Sequence, residues 1–132
     1  MTTKNLEVRF RHLAHNGHHA EPRDIWKARR FIDEHVTEPI SLTKVARTVG
    51  INPTHLSEKF KQVTGVKFVD YIARNRFERA RELLGDLDLR VSEIAFNAGF
   101  HSLSQFNRVF KKLSGKSPSE YRDVELKRRK RH

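Results

Sequence analysis

The chain has 132 residues, room for one ordinary domain or two very small ones, because a unit below about 40 residues seldom builds its own core. Lys and Arg number 27 against 16 acidic residues, a net charge of +11, and the lack of any cysteine excludes disulfides and thiolate metal sites. No apolar run approaches the roughly eighteen residues of a membrane span, and the N-terminus lacks the apolar core of a secretory signal, so a cytoplasmic chain with no membrane partner is expected.

Residues 1–21 are polar, with scattered Leu6, Val8, Phe10 and Leu13, and read as a disordered lead-in or linker remnant. Ile25, Ala28, Ile32 and Val36 then follow helical spacing. Pro22 favours the helix start, and Thr37-Glu38-Pro39 stops it because proline restricts the residue before it. Ser41 is a good N-cap for a helix whose inner face is Leu42, Val45, Ala46 and Val49, and Gly50 supplies the left-handed residue that ends it. Asn52 caps the next helix and Pro53 takes its first position; it runs to about Thr64 with Leu56, Phe60 and Val63 inward, and Gly65 closes it. The longest periodic segment, Val66 to about Leu84, turns Phe68, Ile72, Phe77, Ala80 and Leu84 inward and ends at Gly85-Asp86.

A second short helix begins near Val91 and turns at Gly99. Arg90 stands where Ser41 caps the first one, which moves the expected start back to Asp88. Ser102-x-x-Gln105 has the spacing of a capping box and opens a helix that buries Phe106, Phe110 and Leu113 before Gly115. Ser117-Pro118-Ser119-Glu120 opens a last helix with both the box and a proline at its first position. No stretch alternates with period two for long, so the expected fold is all-α with about seven helices.

These elements repeat. Leu42, Val45, Ala46, Val49, Gly50 and Ile51 recur forty-nine positions later as Val91, Ile94, Ala95, Ala98, Gly99 and Phe100. Leu56, Phe60, Lys61, Gly65 and Tyr71 recur fifty later as Phe106, Phe110, Lys111, Gly115 and Tyr121, so the second copy carries one extra residue in its turn. Each copy reads helix, glycine turn, helix, the sequence form of a helix-turn-helix. The expected division is 22–85 for the first lobe with a linker helix, 86–125 for the second lobe, and 126–132 for a basic tail. Lys127 to Arg131 account for five of the positive charges and the remainder is still +6, so the folded part too favours a polyanionic partner. The tail itself either adds non-specific DNA attraction or remains a disordered, solvated end.

A linker helix of nineteen residues at ~1.5 Å per residue spans roughly 28 Å, against ~34 Å between successive major-groove faces on one side of B-DNA. One monomer per site could then place both second helices in adjacent major-groove segments. With Leu56, Phe60 and Val63 inward, the opposite face carries Thr54, Ser57, Glu58 and Lys61; in the second copy it carries Ser104, Gln105, Arg108 and Lys111. Arg bridges guanine O6 and N7, Gln pairs with adenine N6 and N7, and Glu accepts from cytosine N4, whereas Lys and hydroxyls more often hold phosphate. For any one of these residues the plain alternative is a solvated helix face, and Gln105 has a rival role as the capping partner of Ser102.

The motifs Val91-Ser92-Glu93-Ile94-Ala95, Gly99-Phe100, Phe106, Arg108-Val109-Phe110-Lys111, Gly115 and Ser117-Pro118-Ser119-Glu120-Tyr121-Arg122 resemble, in identity and spacing, the DNA-binding domain of the AraC/XylS family of bacterial transcription regulators. The resemblance runs from about Ile25 to Arg122 and includes Tyr71-Ile72 and Arg76-Phe77. It implies two homeodomain-like helix-turn-helix lobes joined by one long helix. It implies sequence-specific binding of double-stranded promoter DNA, and RNA polymerase as the partner recruited or obstructed. Base-reading positions of the family correspond here to Thr54, Ser57, Glu58, Ser104, Gln105 and Arg108, and backbone-contacting positions to Lys61 and Lys111, with Asn52 and Ser102 at the helix starts placed among the phosphate contacts. Glu58 departs from the basic or amide residue frequent there; an acid facing phosphate costs affinity unless cytosine or a neighbouring lysine answers it. Most family members carry a separate effector domain. The first twenty-four residues are too few for one, so the chain is expected to be a stand-alone member or, preferably, a domain excised from a larger regulator, with no inducer pocket.

His12, His15, His18 and His19 invite a metal reading, but Glu21 is the segment's one nearby carboxylate partner and no apolar frame fixes ligand geometry, so no metal and no cofactor are expected. His55 and His101 flank the turns, to touch phosphate or simply to pack. Trp26 and the nine Phe read as core. The absence of a Gly-rich phosphate loop and of a nucleophile constellation argues against an enzyme. Two other readings stay open: a sequence-indifferent architectural nucleic-acid binder, and a protein-interaction module using Glu7, Asp86 and Asp88.

Overall fold

The structure, a computed structural model, describes residues 21–130, and within them there are seven helices and no strand. The lead-in through Ala20 with its four histidines, and the final Arg131 and His132, lie outside the described residues. The helices are α1 (Arg23–His35), α2 (Leu42–Val49), α3 (Pro53–Thr64), α4 (Phe68–Leu83), α5 (Val91–Asn97), α6 (Leu103–Ser114) and α7 (Pro118–Lys130). The chain divides into two compact units between Ile72 and Ala73, within α4.

In the first unit, Ile25, Ala28 and Ile32 of α1 pack with Val45 and Ala46 of α2, Leu56 and Phe60 of α3, and Phe68, Tyr71 and Ile72 of α4. Ser41 Oγ accepts the Lys44 N–H at 3.1 Å, and Gly50 at φ 80° ends α2. Phe60 meets the rings of Phe68 and Tyr71 edge-on at 5.7 and 5.3 Å. Asp24 of α1 holds Lys59 of α3 at 2.8 Å. Burial raises the Asp24 carboxyl, but the Lys59 ion pair and the Ile25 N–H outweigh it and leave the group below its ordinary value.

The second unit repeats this packing with Phe77 and Ala80 from α4, Leu84 just after it, Ile94 and Ala95 from α5, and Phe106 and Phe110 from α6. Phe110 meets Tyr121 at 5.3 Å and 77°, the same values as Phe60 with Tyr71. The duplication extends to hydroxyls. Thr64 Oγ1 lies 2.7 Å from Phe60 O and accepts the Val66 N–H at 3.2 Å, and Ser114 Oγ lies 2.7 Å from Phe110 O and accepts the Lys116 N–H at 3.2 Å. This turn corrects the linker helix, which is sixteen residues long and starts at Phe68 rather than Val66, because Thr64 captures the Val66 N–H outside any helix.

Other boundaries shift as well. α5 starts at Val91, not Asp88; Arg90 has no side-chain acceptor to cap it, but the Glu93 carboxylate reaches back to the Arg90 N–H at 3.0 Å. α7 continues through Lys130, so Lys127 to Lys130 form its last turn. From it Arg129 donates to Gly85 O at 3.2 Å, and Arg122 donates to Leu84 O at 3.2 Å and Asp86 O at 3.1 Å, satisfying carbonyls just past the end of α4. Two aromatics leave the expected core: Trp26 is 36% exposed with Arg30 stacked 5.2 Å from its centroid, and Phe96 is 58% exposed. Each sits beside an inward residue, Ile25 or Ala95, one position off the buried stripe.

Gly99 has φ 101°, a conformation that penalises a β-branched side chain. Gly99→Val is expected to destabilise the second unit by about 1–3 kcal/mol, read as a lower melting temperature; unaltered melting would mean the turn does not need its left-handed residue.

Candidate nucleic-acid interface

Burying Leu56 and Phe60 leaves Thr54, Glu58 and Lys61 exposed at i, i+4 and i+7 on α3. Ser57 is half-buried and, with Glu58 and Lys61, borders a hollow against Ser41, Leu42 and Phe68. Lys59 faces the other way, toward Asp24 of α1. Glu58 is exposed, and no ion pair is made to it among the described residues.

On α6 the buried Phe106 and Phe110 leave Ser104, Arg108 and Lys111 exposed at the same spacing. Arg108 makes no ion pair among the described residues. Gln105 differs: it is half-buried, and its Oε1 accepts the His101 N–H at 2.9 Å. Asn52 and Ser102 are the N-caps. Asn52 Oδ1 accepts from Thr54 at 2.8 Å and from His55 at 3.4 Å, and Ser102 Oγ accepts from Gln105 at 3.1 Å. Their acceptor oxygens serve the helix starts, so toward an anion they can offer donors: the Asn52 amide N–H and the Ser102 hydroxyl.

Asn107 joins the exposed side chains of α6. It is exposed between Ser104 and Lys111, and the fifty-residue register pairs it with Ser57. That register was the available signal: it aligns Gln105 with His55, not with any residue of the outward row on α3.

The two exposed rows combine hydroxyls, an amide, a carboxylate and three cations, a mixture able to match base edges and phosphates. Among the described residues there is no group of three or more metal-ligating side chains and no helix long and apolar enough to cross a membrane.

A family profile described as a helix-turn-helix domain matches residues 45–123. The regulatory protein PocR of Salmonella typhimurium is 38% identical over 96 residues, which is 73% of this chain and 32% of that protein. The C-terminal domain of AraT, a response regulator from Geobacillus stearothermophilus, has a TM-score of 0.75 and 33% identity over 78% of this chain and 86% of that one. A transcriptional regulator from Chromobacterium violaceum with an AraC-type DNA-binding domain has a TM-score of 0.68 and 27% identity over 76% of this chain and 89% of that one. The chain spans a third or less of the length of the curated relatives it matches, 33% of one, 25% of another and 12% of a third.

Proposed function

This chain belongs to the AraC/XylS family of helix-turn-helix regulators, and from that premise we propose that it binds a defined sequence of double-stranded promoter DNA through α3 and α6. The observation that carries the reading is the paired outward rows, Thr54, Glu58, Lys61 and Ser104, Arg108, Lys111, each at the same helical spacing opposite a buried phenylalanine. Each row enters the major groove. Arg108 takes guanine, Glu58 cytosine, and Thr54, Ser57, Ser104 and Asn107 the neighbouring edges; Lys61, Lys111, Asn52 and Ser102 hold phosphates. One molecule occupies one site, its two second helices in adjacent groove segments. RNA polymerase is the partner through which DNA binding alters transcription.

Arg108→Ala is expected to relax preference at one base pair and cost ~1–3 kcal/mol there, measured by binding to duplexes varied one position at a time. An equal loss on every sequence would make Arg108 a phosphate clamp. Lys111→Ala is expected to weaken all sequences alike and lower the salt slope by about one unit; an unchanged slope removes Lys111 from the interface. Selection of bound duplexes from a random pool tests the whole reading, because it returns the motif and the spacing of its halves. Retention of no motif, with binding abolished by excess random DNA, would favour an architectural binder.

A further inference from the structure

The turn of the second unit is closed by a bond with no counterpart in the first. Gln105 Oε1 accepts the N–H of His101, and His101 is the residue by which the second turn exceeds the first. The Gln105 N–H in turn donates to Ser102 Oγ. In the first unit Asn52 alone takes the N–H groups of Thr54 and His55, and the residue in register with Gln105 is His55. Gln105 therefore ties the inserted peptide to the first turn of α6.

A glutamine reads adenine with both the oxygen and the nitrogen of its amide. In Gln105 the oxygen is engaged and the side chain is half-buried, while Ser104, Asn107 and Arg108 remain on the open face. Resting on the reading of α6 as a groove helix, we propose that Gln105 is a specificity-determining positioning residue. It holds the longer turn in one conformation, sets the angle at which α6 presents Ser104, Asn107 and Arg108, and reads no base itself. Without it the His101 N–H loses its acceptor, and the inserted residue frees the turn to sample other conformers.

The test compares the unmodified chain with Gln105→Glu and Gln105→Ala, by selection from a random duplex pool and by amide hydrogen exchange at His101. Glutamate keeps an oxygen for the His101 N–H but has no amide donor. Gln105→Glu is expected to select the same motif at every position, with affinity lowered uniformly by its charge and His101 still protected. Gln105→Ala is expected to lose protection at His101 by about three- to tenfold, the worth of one hydrogen bond, and to flatten preference over all base pairs read by the second unit while those read by the first hold. A change at one base pair in both variants, with His101 protection unaltered, overturns the proposal and makes Gln105 a base reader. If the unmodified chain itself selects no motif, the reading of a sequence-specific binder fails instead, and exchange at His101 still decides whether Gln105 closes the turn.

Discussion

Phe110→Ala is expected to cost the second unit about 3–5 kcal/mol, the range for removing a fully buried aromatic ring and leaving a cavity. Phe110 has no exposed surface, and its ring lies 4.8 Å from Phe77, 5.6 Å from Phe106 and 5.3 Å from Tyr121. It therefore joins α4, α6 and α7 in a core it shares with Phe77, Phe100 and Phe106. Small units cannot absorb such a loss, since total stabilities run to about 5–15 kcal/mol. The row Ser104, Arg108, Lys111 depends on Phe110 lying inward on the same helix, so base preference in the second half of the site should vanish with folding. Chemical denaturation followed by helix content reads the first effect, and duplex selection the second. A loss under about 1 kcal/mol would mean that the neighbouring rings close the space, and that the packing of α6 on α4 does not hinge on this side chain.

Glu21→Ala should be of similar size, for a different reason. Glu21 and Arg29 form a two-pronged pair, with Nε–Oε1 and Nη2–Oε2 both at 2.6 Å, and their side chains are only 4% and 6% exposed. The hydrogen bonds that Arg29 donates to Glu21 outweigh burial and push Arg29 above its ordinary value, so the guanidinium stays charged inside the unit. Nearby, Tyr71 donates to Asp33 at 3.0 Å, and burial pushes its phenol up. Removing the carboxylate takes away the direct ion-pair partner of a buried cation, leaving it Tyr71 and the Asp33 charge, and breaking a buried pair typically costs about 3–5 kcal/mol. The double variant Glu21→Leu with Arg29→Met should recover most of that loss, because apolar replacement of a whole buried pair is often close to neutral. If the double variant is as unstable as the single one, packing and not the broken pair accounts for the effect.

Legibility in the sequence followed the reach of each interaction. The caps at Ser41, Asn52, Ser102 and Ser117, and the glycine ends at Gly50, Gly65 and Gly115, were readable because each joins groups within four residues of one another. The outward rows were readable for the same reason, since helical spacing alone separates Thr54 and Arg108 from Leu56 and Phe106. Gln105 was ambiguous because its position suits both a base-reading and a capping role, and the folded turn gives its oxygen the His101 N–H rather than that of Ser102. Asn107 is legible through the repeat register, which pairs it with Ser57 across the inserted position.

Taken alone, the order of residues determined an all-helical chain, two similar helix pairs and the polar face of each second helix. Periodicity and capping are local chemistry, and they operate before any distant part of the chain arrives. Only the folded molecule decided that Glu21 belongs to the first core, that Lys59 turns to Asp24 across 35 positions, and that Arg122 closes the end of α4 from 38 positions away. Such pairings depend on which surfaces meet when apolar faces are buried, and a charged side chain carries no mark of its partner until that burial brings the two together.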